Sequence, residues 1–147
     1  MAQQPIAVGS DHAGYKLKTR IKSLLNELGF SVLDLGTEDE NSVDYPDYAN
    51  KVVKAIKSGN AGNGILVCGS GIGMSIAANR HKGIRAALCF DPSDVELARK
   101  HNDANILCLG ARGNIHYDVI FAWVKTFANT EFEGGRHKRR IEKLEEK

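Results

Sequence analysis

The chain has 147 residues, 42% hydrophobic and 26% charged, enough for one soluble globular domain with a sizeable core. A formal net charge of +2 excludes the strong overall basicity of a nucleic-acid carrier and gives no reason to expect a membrane surface as partner. No apolar run reaches the roughly 18–20 residues of a membrane span, and MAQQPIAVG lacks the pattern of a secretory signal, so the expectation is a cytoplasmic protein.

In chain order, residues 5–9 (PIAVG) predict a first strand. Leu17, Ile21, Leu24, Leu25 and Leu28 then recur at steps of three and four, the buried face of a helix that Gly29 stops. Residues 31–35 (SVLDL) predict a second strand and residues 36–44 a polar loop. Pro46 sits where a first helical turn accepts it, and Ala49, Val52, Val53 and Ile56 mark the apolar face that follows. Residues 64–68 (GILVC) predict a third strand, which a Gly-rich turn joins to a helix running to Ala78. Residues 84–90 (IRAALCF) predict a fourth strand, with Asp91 and Pro92 as N-cap and first residue of the next helix. Residues 105–109 (NILCL) predict a fifth, followed by a helix over 117–128 and a final charged helix from Arg136. Continuous apolar strands alternating with amphipathic helices predict an α/β fold. The expected form is a doubly wound, Rossmann-like three-layer sandwich: a five-stranded parallel sheet and a C-terminal helix, with residues 1–147 as a single domain.

In open parallel sheets, ligands bind beyond the carboxyl ends of the strands. That rule gathers Ser10, Asp11 and His12 after the first strand, CGSGIG (68–73) at the third, Asp91 after the fourth, and Gly110, Ala111 and Arg112 at the fifth. A thiol, a carboxylate, an imidazole, a hydroxyl and a guanidinium on one rim point to a binding or catalytic site. Gly69, Gly71 and Gly73 let backbone N–H groups approach a ligand, and the next helix turns its positive end toward an anion. A dinucleotide site is disfavoured, because Met74 stands where G-x-G-x-x-G needs its last glycine, although Asp91 lies about twenty residues on. A Walker loop is excluded, since no Gly-Lys-Ser/Thr occurs.

Cys68 has two readings of equal weight: an inert strand cysteine, or a thiol activated by a helix N-terminus. Cys89 and Cys108 read as inert, and an odd count of three in apolar segments suits reduced thiols. His101, at a helix end, reads more readily as a capping cation than as an acid–base group. The five histidines never fall four apart and no cysteine spacing suits zinc, so no metal is expected. The run Arg136–His137–Lys138–Arg139–Arg140 opens its helix with positive charge, the reverse of what the helix dipole favours. Such a reversal suggests a functional demand, and Arg136 and Arg140 share a face on which both guanidinium groups can grip one phosphate. The competing reading, a solvated tail that binds nucleic acid loosely, is disfavoured by the absence of interleaved aromatics.

Together these residues resemble the ribose-5-phosphate isomerase B family, which also contains the galactose-6-phosphate isomerase subunits. The resemblance is carried by GSDHAGYKLK (9–18), DYPDYA (44–49), CGSGIGMSIAANR (68–80), GIRAA (83–87), RKHNDANILCLGAR (99–112) and FEGGRHKRRI (132–141), nearly the whole chain. It implies a cofactor-free aldose–ketose isomerase of the pentose phosphate pathway, interconverting ribose 5-phosphate and ribulose 5-phosphate through an enediol. Cys68 matches the base that moves the proton between C1 and C2; the glutamate that replaces it in some members would stand at Met74. His101 matches the residue that assists ring opening. Ser70, often threonine in the family, and the N–H groups of Gly69, Gly71, Ile72 and Gly73 would stabilise the enediolate. Asp11, His12 and Asn102 match sugar contacts, Tyr45 a wall of the pocket, and Arg112, Arg136 and Arg140 phosphate ligands. The family also implies homodimers, often tetramers, in which His101, Asn102 and the arginines reach across to the partner's Cys68. The rival readings are the same chemistry on a six-carbon sugar phosphate, a silent phosphosugar-binding subunit, and a nucleotide-binding module.

Overall fold

The computed structural model describes residues 3–146. Its elements run β1 (Ile6–Ser10), α1 (Tyr15–Glu27), β2 (Val32–Asp34), α2 (Tyr45–Lys57), β3 (Asn63–Cys68), α3 (Ile72–Asn79), β4 (Ala86–Leu88), α4 (Pro92–Lys100), β5 (Ile106–Gly110), α5 (Tyr117–Asn129) and α6 (Arg136–Leu144). The strands form one sheet in the order β2-β1-β3-β5-β4, and every pairing is parallel. The expected α/β sandwich is therefore present, with β3 at its centre.

Side chains alternate across the pleat and so build two cores. Ile65 and Val67 of β3 join Leu17, Ile21 and Leu25 of α1, Val95 of α4 and Ile120, Val124 and Phe127 of α5. Leu66 and Cys68, of opposite parity, join Val52 and Val53 of α2 and Met74 and Ala78 of α3. This parity turns Cys68 toward the α2–α3 face. Gly14 fits α1 closely to the sheet: a Cβ there would lie 2.5 Å from the carbonyl oxygen of Val67.

The helix signals act as read. The Asp91 carboxylate accepts the Ser93 N–H at the start of α4, and Gly29 follows α1 with φ at +90°. The fourth strand is shorter than its apolar run: β4 is an edge strand in which Ala86–Leu88 are in register with β5, and the backbone bonds to that neighbour stop at Arg85 and Cys89. Ile84 is instead in a turn, donating its N–H to His81, and Phe90 lies exposed beyond the strand.

Lys18 is 2% exposed and forms an ion pair of 2.7 Å with Asp34 of β2. The same carboxylate oxygen accepts the Gly36 N–H at 3.0 Å. Residues 36–37 in turn pair with Ser10, through Ser10 N to Gly36 O at 2.8 Å and Thr37 N to Ser10 O at 3.0 Å. A buried ammonium thus steadies the end of β1, where the polar rim begins.

Candidate active site

Cys68 is the last residue of β3 and 5% exposed. Its Sγ accepts the Gly71 N–H at 3.1 Å, so the sulfur sits beneath the first turn of α3, at the positive end of that helix. Gly71 has φ at +79° and a Cβ there would come 2.9 Å from the Leu109 carbonyl carbon, so this corner admits only glycine. Ser70 is exposed, and its Oγ accepts the Ile72 N–H at 3.1 Å. The loop leans on its neighbours. Arg112 donates its backbone N–H to Gly69 O at 2.9 Å and lays its guanidinium against Gly69, where a Cβ would fall 2.9 Å from Cζ. On the other side the Tyr45 ring covers Gly73, leaving only 2.7 Å for a Cβ. Gly69, Ser70, Ile72, Phe90 and Arg112 line a cavity of about 320 Å³.

Asp11 and His12 belong to this rim and also hold it together. The Asp11 carboxylate accepts the Gly14 N–H at 3.1 Å and closes the turn into α1. Nδ1 of His12 accepts the Val43 N–H at 3.1 Å, which fastens the loop over residues 37–44 to the rim.

His101 and Asn102 lie elsewhere. Helix α4 returns against the strand direction, so its C-terminal end, capped by His101, reaches the edge of the sheet where β5 begins. Cys68 stands at the opposite edge, and a five-residue strand alone spans roughly 16 Å. His101, Asn102, His137, Arg140, Ile141 and Leu144 line a second cavity, of about 360 Å³, which shares no residue with the one beside Cys68. Arg136 and Arg140 belong to α6 at this end, whereas Arg112 belongs with Cys68, so the three candidate phosphate ligands are not brought together within one chain.

The second cluster contains groups that the sequence reading passed over. His137 is buried, its ring stacked on His101 with centroids 4.1 Å apart. Burial first, then the charges of His101 and Arg136, hold its pKa below the usual imidazole value. Arg85 donates to the Asn102 carbonyl at 2.9 Å and the Asp103 carbonyl at 3.1 Å, and pairs with Glu145 at 3.0 Å. Glu145 also accepts the Gly83 N–H at 2.8 Å, which ties the C-terminal end of α6 to the turn before β4. Arg99 reaches Asp103 at 2.9 Å and the Ala104 carbonyl at 2.8 Å, so two guanidinium groups grip the turn that presents Asn102. A further cavity, of about 520 Å³, lies beside this grip, between Asn79, Ile84, Arg85, Asn102 and Leu144. Glycine spacing and the strand-end rule located the Cys68 loop; no comparable signal marks an arginine that works through backbone carbonyls.

Burial raises the Cys89 thiol to about 11 and Cys108 higher still, which leaves both protonated and inert. Met74 is fully buried in the core. Among the described residues, no helix is long and apolar enough to cross a membrane.

Known proteins match this chain along nearly their full length. A crystal structure of a ribose 5-phosphate isomerase from Thermotoga maritima superimposes with a TM-score of 0.94 at 54% identity, over 98% of this chain and 99% of that one. Ribose-5-phosphate isomerase B of Escherichia coli is 42% identical over 139 residues, 95% of this chain and 93% of that protein. A protein of Rickettsia typhi named as a sugar phosphate isomerase is 50% identical over 139 residues, 95% of this chain and 96% of its own. Fold, rim and relatives thus define a Rossmann-like sugar-phosphate isomerase. Residues 6–144 match the Ribose/Galactose Isomerase family, and the chain belongs to it.

Proposed function

We propose that the protein interconverts ribose 5-phosphate and ribulose 5-phosphate, with Cys68 as the base that carries the proton between C1 and C2 of an enediol. The observation that carries this reading is the Cys68 sulfur at the strand end, 3.1 Å from the Gly71 N–H and below the start of α3. The Ser70 hydroxyl, with those N–H groups of the Gly69–Gly73 turn that are not already given to Cys68 and Ser70, receives the negative charge that develops on the substrate oxygens. Asp11 and His12 supply polar contacts for the sugar, and Tyr45 closes the side of the pocket. No step needs a metal or an organic cofactor, because a base, an acid and an oxyanion site suffice.

The acid is His101, and it comes from a second copy of the chain. One chain holds Cys68 and His101 at opposite edges of its sheet, so a symmetric dimer is the arrangement that unites them. Ile72 and Ile76, four apart on α3, are 53% and 58% exposed beside the Cys68 rim, and Phe90 is 52% exposed, an apolar surface suited to that partner. His101, Asn102, Arg136 and Arg140 of the partner would then face Cys68, while Arg112 serves its own chain.

The test is ribose 5-phosphate conversion by wild type, Cys68→Ala, His101→Ala and a refolded equal mixture of the two variants. Loss of general-base catalysis costs about 10²–10⁴-fold. In the mixture, half the dimers carry one intact site of two, so about a quarter of wild-type activity returns. A mixture as dead as its components refutes the shared site. An active Cys68→Ala variant refutes the base, and a wild type that turns over only six-carbon sugar phosphates moves the substrate assignment to those.

A further inference from the structure

At the edge of the sheet remote from Cys68, three metal-ligating side chains converge from three segments. His101 caps α4, His137 lies in the first turn of α6, and Glu133 comes from the connection between α5 and α6. The two imidazoles stack at 4.1 Å with 13° between their planes. Oε1 of Glu133 lies 3.9 Å from Nε2 of His101 and 3.6 Å from Nε2 of His137. One ligand atom from each residue can be chosen so that all three lie within 4.8 Å of one another. The backbone holds the group in place: Glu133 donates its N–H to Lys100 O at 3.1 Å, and Arg99 Nε donates to Thr130 O at 3.0 Å.

A second observation points independently to a ligand. His137 is 6% exposed, yet its Nε2 has no hydrogen-bond partner, the Glu133 carboxylate standing just beyond reach. Buried polar atoms are almost always satisfied, so an orphaned ring nitrogen aimed at a carboxylate calls for an occupant.

We propose that His101, Glu133 and His137 form a binding site for Zn²⁺, and that its occupancy withdraws His101 from catalysis. The withdrawal of His101 rests on the function proposed above. Tetrahedral Zn²⁺ takes nitrogen and carboxylate ligands at about 2.0–2.2 Å, which sets the ligands roughly 3.3–3.5 Å apart. The Glu133 oxygen needs to close on each ring by a few tenths of an ångström, and His101 must turn out of its stack on His137, because the in-plane lone pairs of two parallel rings cannot meet on one ion. The Glu133 and His101 side chains are 50% and 37% exposed and so free to adjust. Two imidazoles and one carboxylate match zinc, whereas Mg²⁺ and Ca²⁺ require shells of oxygen. A water from the cavity beside His137 and Arg140 completes the coordination. Arg136 and Arg140 oppose a cation here, and Glu133 is the one carboxylate in the triad, so affinity should hinge on that residue. The ion is an inhibitor and not a cofactor, because it occupies the imidazole that opens the sugar ring.

The experiment titrates Zn²⁺ into the chelator-treated full chain, in competition with a chromogenic zinc chelator, and repeats the titration with Co²⁺, whose visible absorption reports tetrahedral coordination. One ion per chain is expected. Affinity should fall more than tenfold in Glu133→Gln, a half-exposed substitution that leaves the fold intact, and in His137→Gln. It should be unchanged in Cys68→Ala. Absence of saturable binding, binding that survives Glu133→Gln, or binding lost in Cys68→Ala would each overturn the site. Because Cys68→Ala is read by binding alone, this result is independent of which reaction the protein catalyses. Where wild type shows isomerase activity, Zn²⁺ should inhibit it, a chelator should restore it, and Glu133→Gln should resist. Zinc bound at this site without inhibition would overturn the link to His101.

Discussion

Replacing Asp34 by Asn tests the claim that a buried ion pair steadies the rim. The side chain keeps its shape and can still accept the Gly36 N–H, but the Lys18 ammonium, 2% exposed, loses its anion. Breaking a buried pair costs about 3–5 kcal/mol because the remaining charge is stranded. Asp34 is a quarter exposed, so water softens the loss and about 3 kcal/mol is expected. For a chain of this size that is roughly 6–12 °C of melting temperature, read by thermal and urea unfolding at fixed protein concentration. Lys18→Met alone should cost only about 1 kcal/mol, since Asp34 retains Lys22 at 3.4 Å and some solvent. Adding Lys18→Met to Asp34→Asn should recover most of the loss, because no charge is then stranded. A pH series adds an independent check. Burial pushes the Asp34 carboxyl up, but the hydrogen bonds from Lys18 and Gly36 and the charges of Lys18 and Lys22 outweigh it and hold its pKa below 3.8. A depressed carboxyl stabilises the fold above the unfolded value and loses that contribution as pH falls through the folded one, so the gap between wild type and Asp34→Asn should narrow in acid. An Asp34→Asn variant within 1 kcal/mol of wild type, or a double variant as unstable as the sum of the single ones, would refute the reasoning.

Other outcomes follow from contacts already described. Gly69→Ala places a Cβ 2.9 Å from the Arg112 guanidinium, a flexible group, so the fold should hold while Arg112 shifts and KM rises about tenfold, roughly 1.4 kcal/mol. Gly14→Ala meets the Val67 carbonyl at 2.5 Å, a backbone atom that cannot yield, and should destabilise by about 1–3 kcal/mol in urea unfolding. Cys89→Ala and Cys108→Ala should retain catalysis with an unchanged pH profile, since burial holds both thiols protonated. Isomerase activity should not fall on exhaustive chelation, because the enediol route calls on no metal.

The fold was legible where the sequence carries two signals at once. GILVC is apolar throughout and is followed by closely spaced glycines, and that combination located both β3 and the turn where Cys68 sits. IRAALCF is as apolar, but apolarity reports burial and not pairing, so the edge strand came out shorter than its run. Nothing in the sequence marks Lys18 as buried, because its partner Asp34 lies on a separate strand sixteen residues away. His137 was hidden for a similar reason. It stands within a run of four cations that looks wholly exposed, and its burial comes from a histidine distant in sequence. Spacing between histidines could not reveal a cluster whose third member is a glutamate. Nor could the rim rule show that His101 lies at the wrong edge, because that depends on the direction in which α4 returns.

Helix α6 is held at its two ends, by the His101–His137 stack at one and by Glu145 on Arg85 and Gly83 at the other. A helix slung in this way behaves as a ruler. Tilting it about either anchor moves Arg136 and Arg140 without touching the sheet or the Cys68 turn. If Arg136 and Arg140 hold the phosphate and Cys68 is the base, as proposed, the distance between the reacting carbons of a sugar and its phosphate is set by one adjustable part, and proton transfer by another. Within this family, a change from five to six carbons would call for altered anchors and not for altered chemistry.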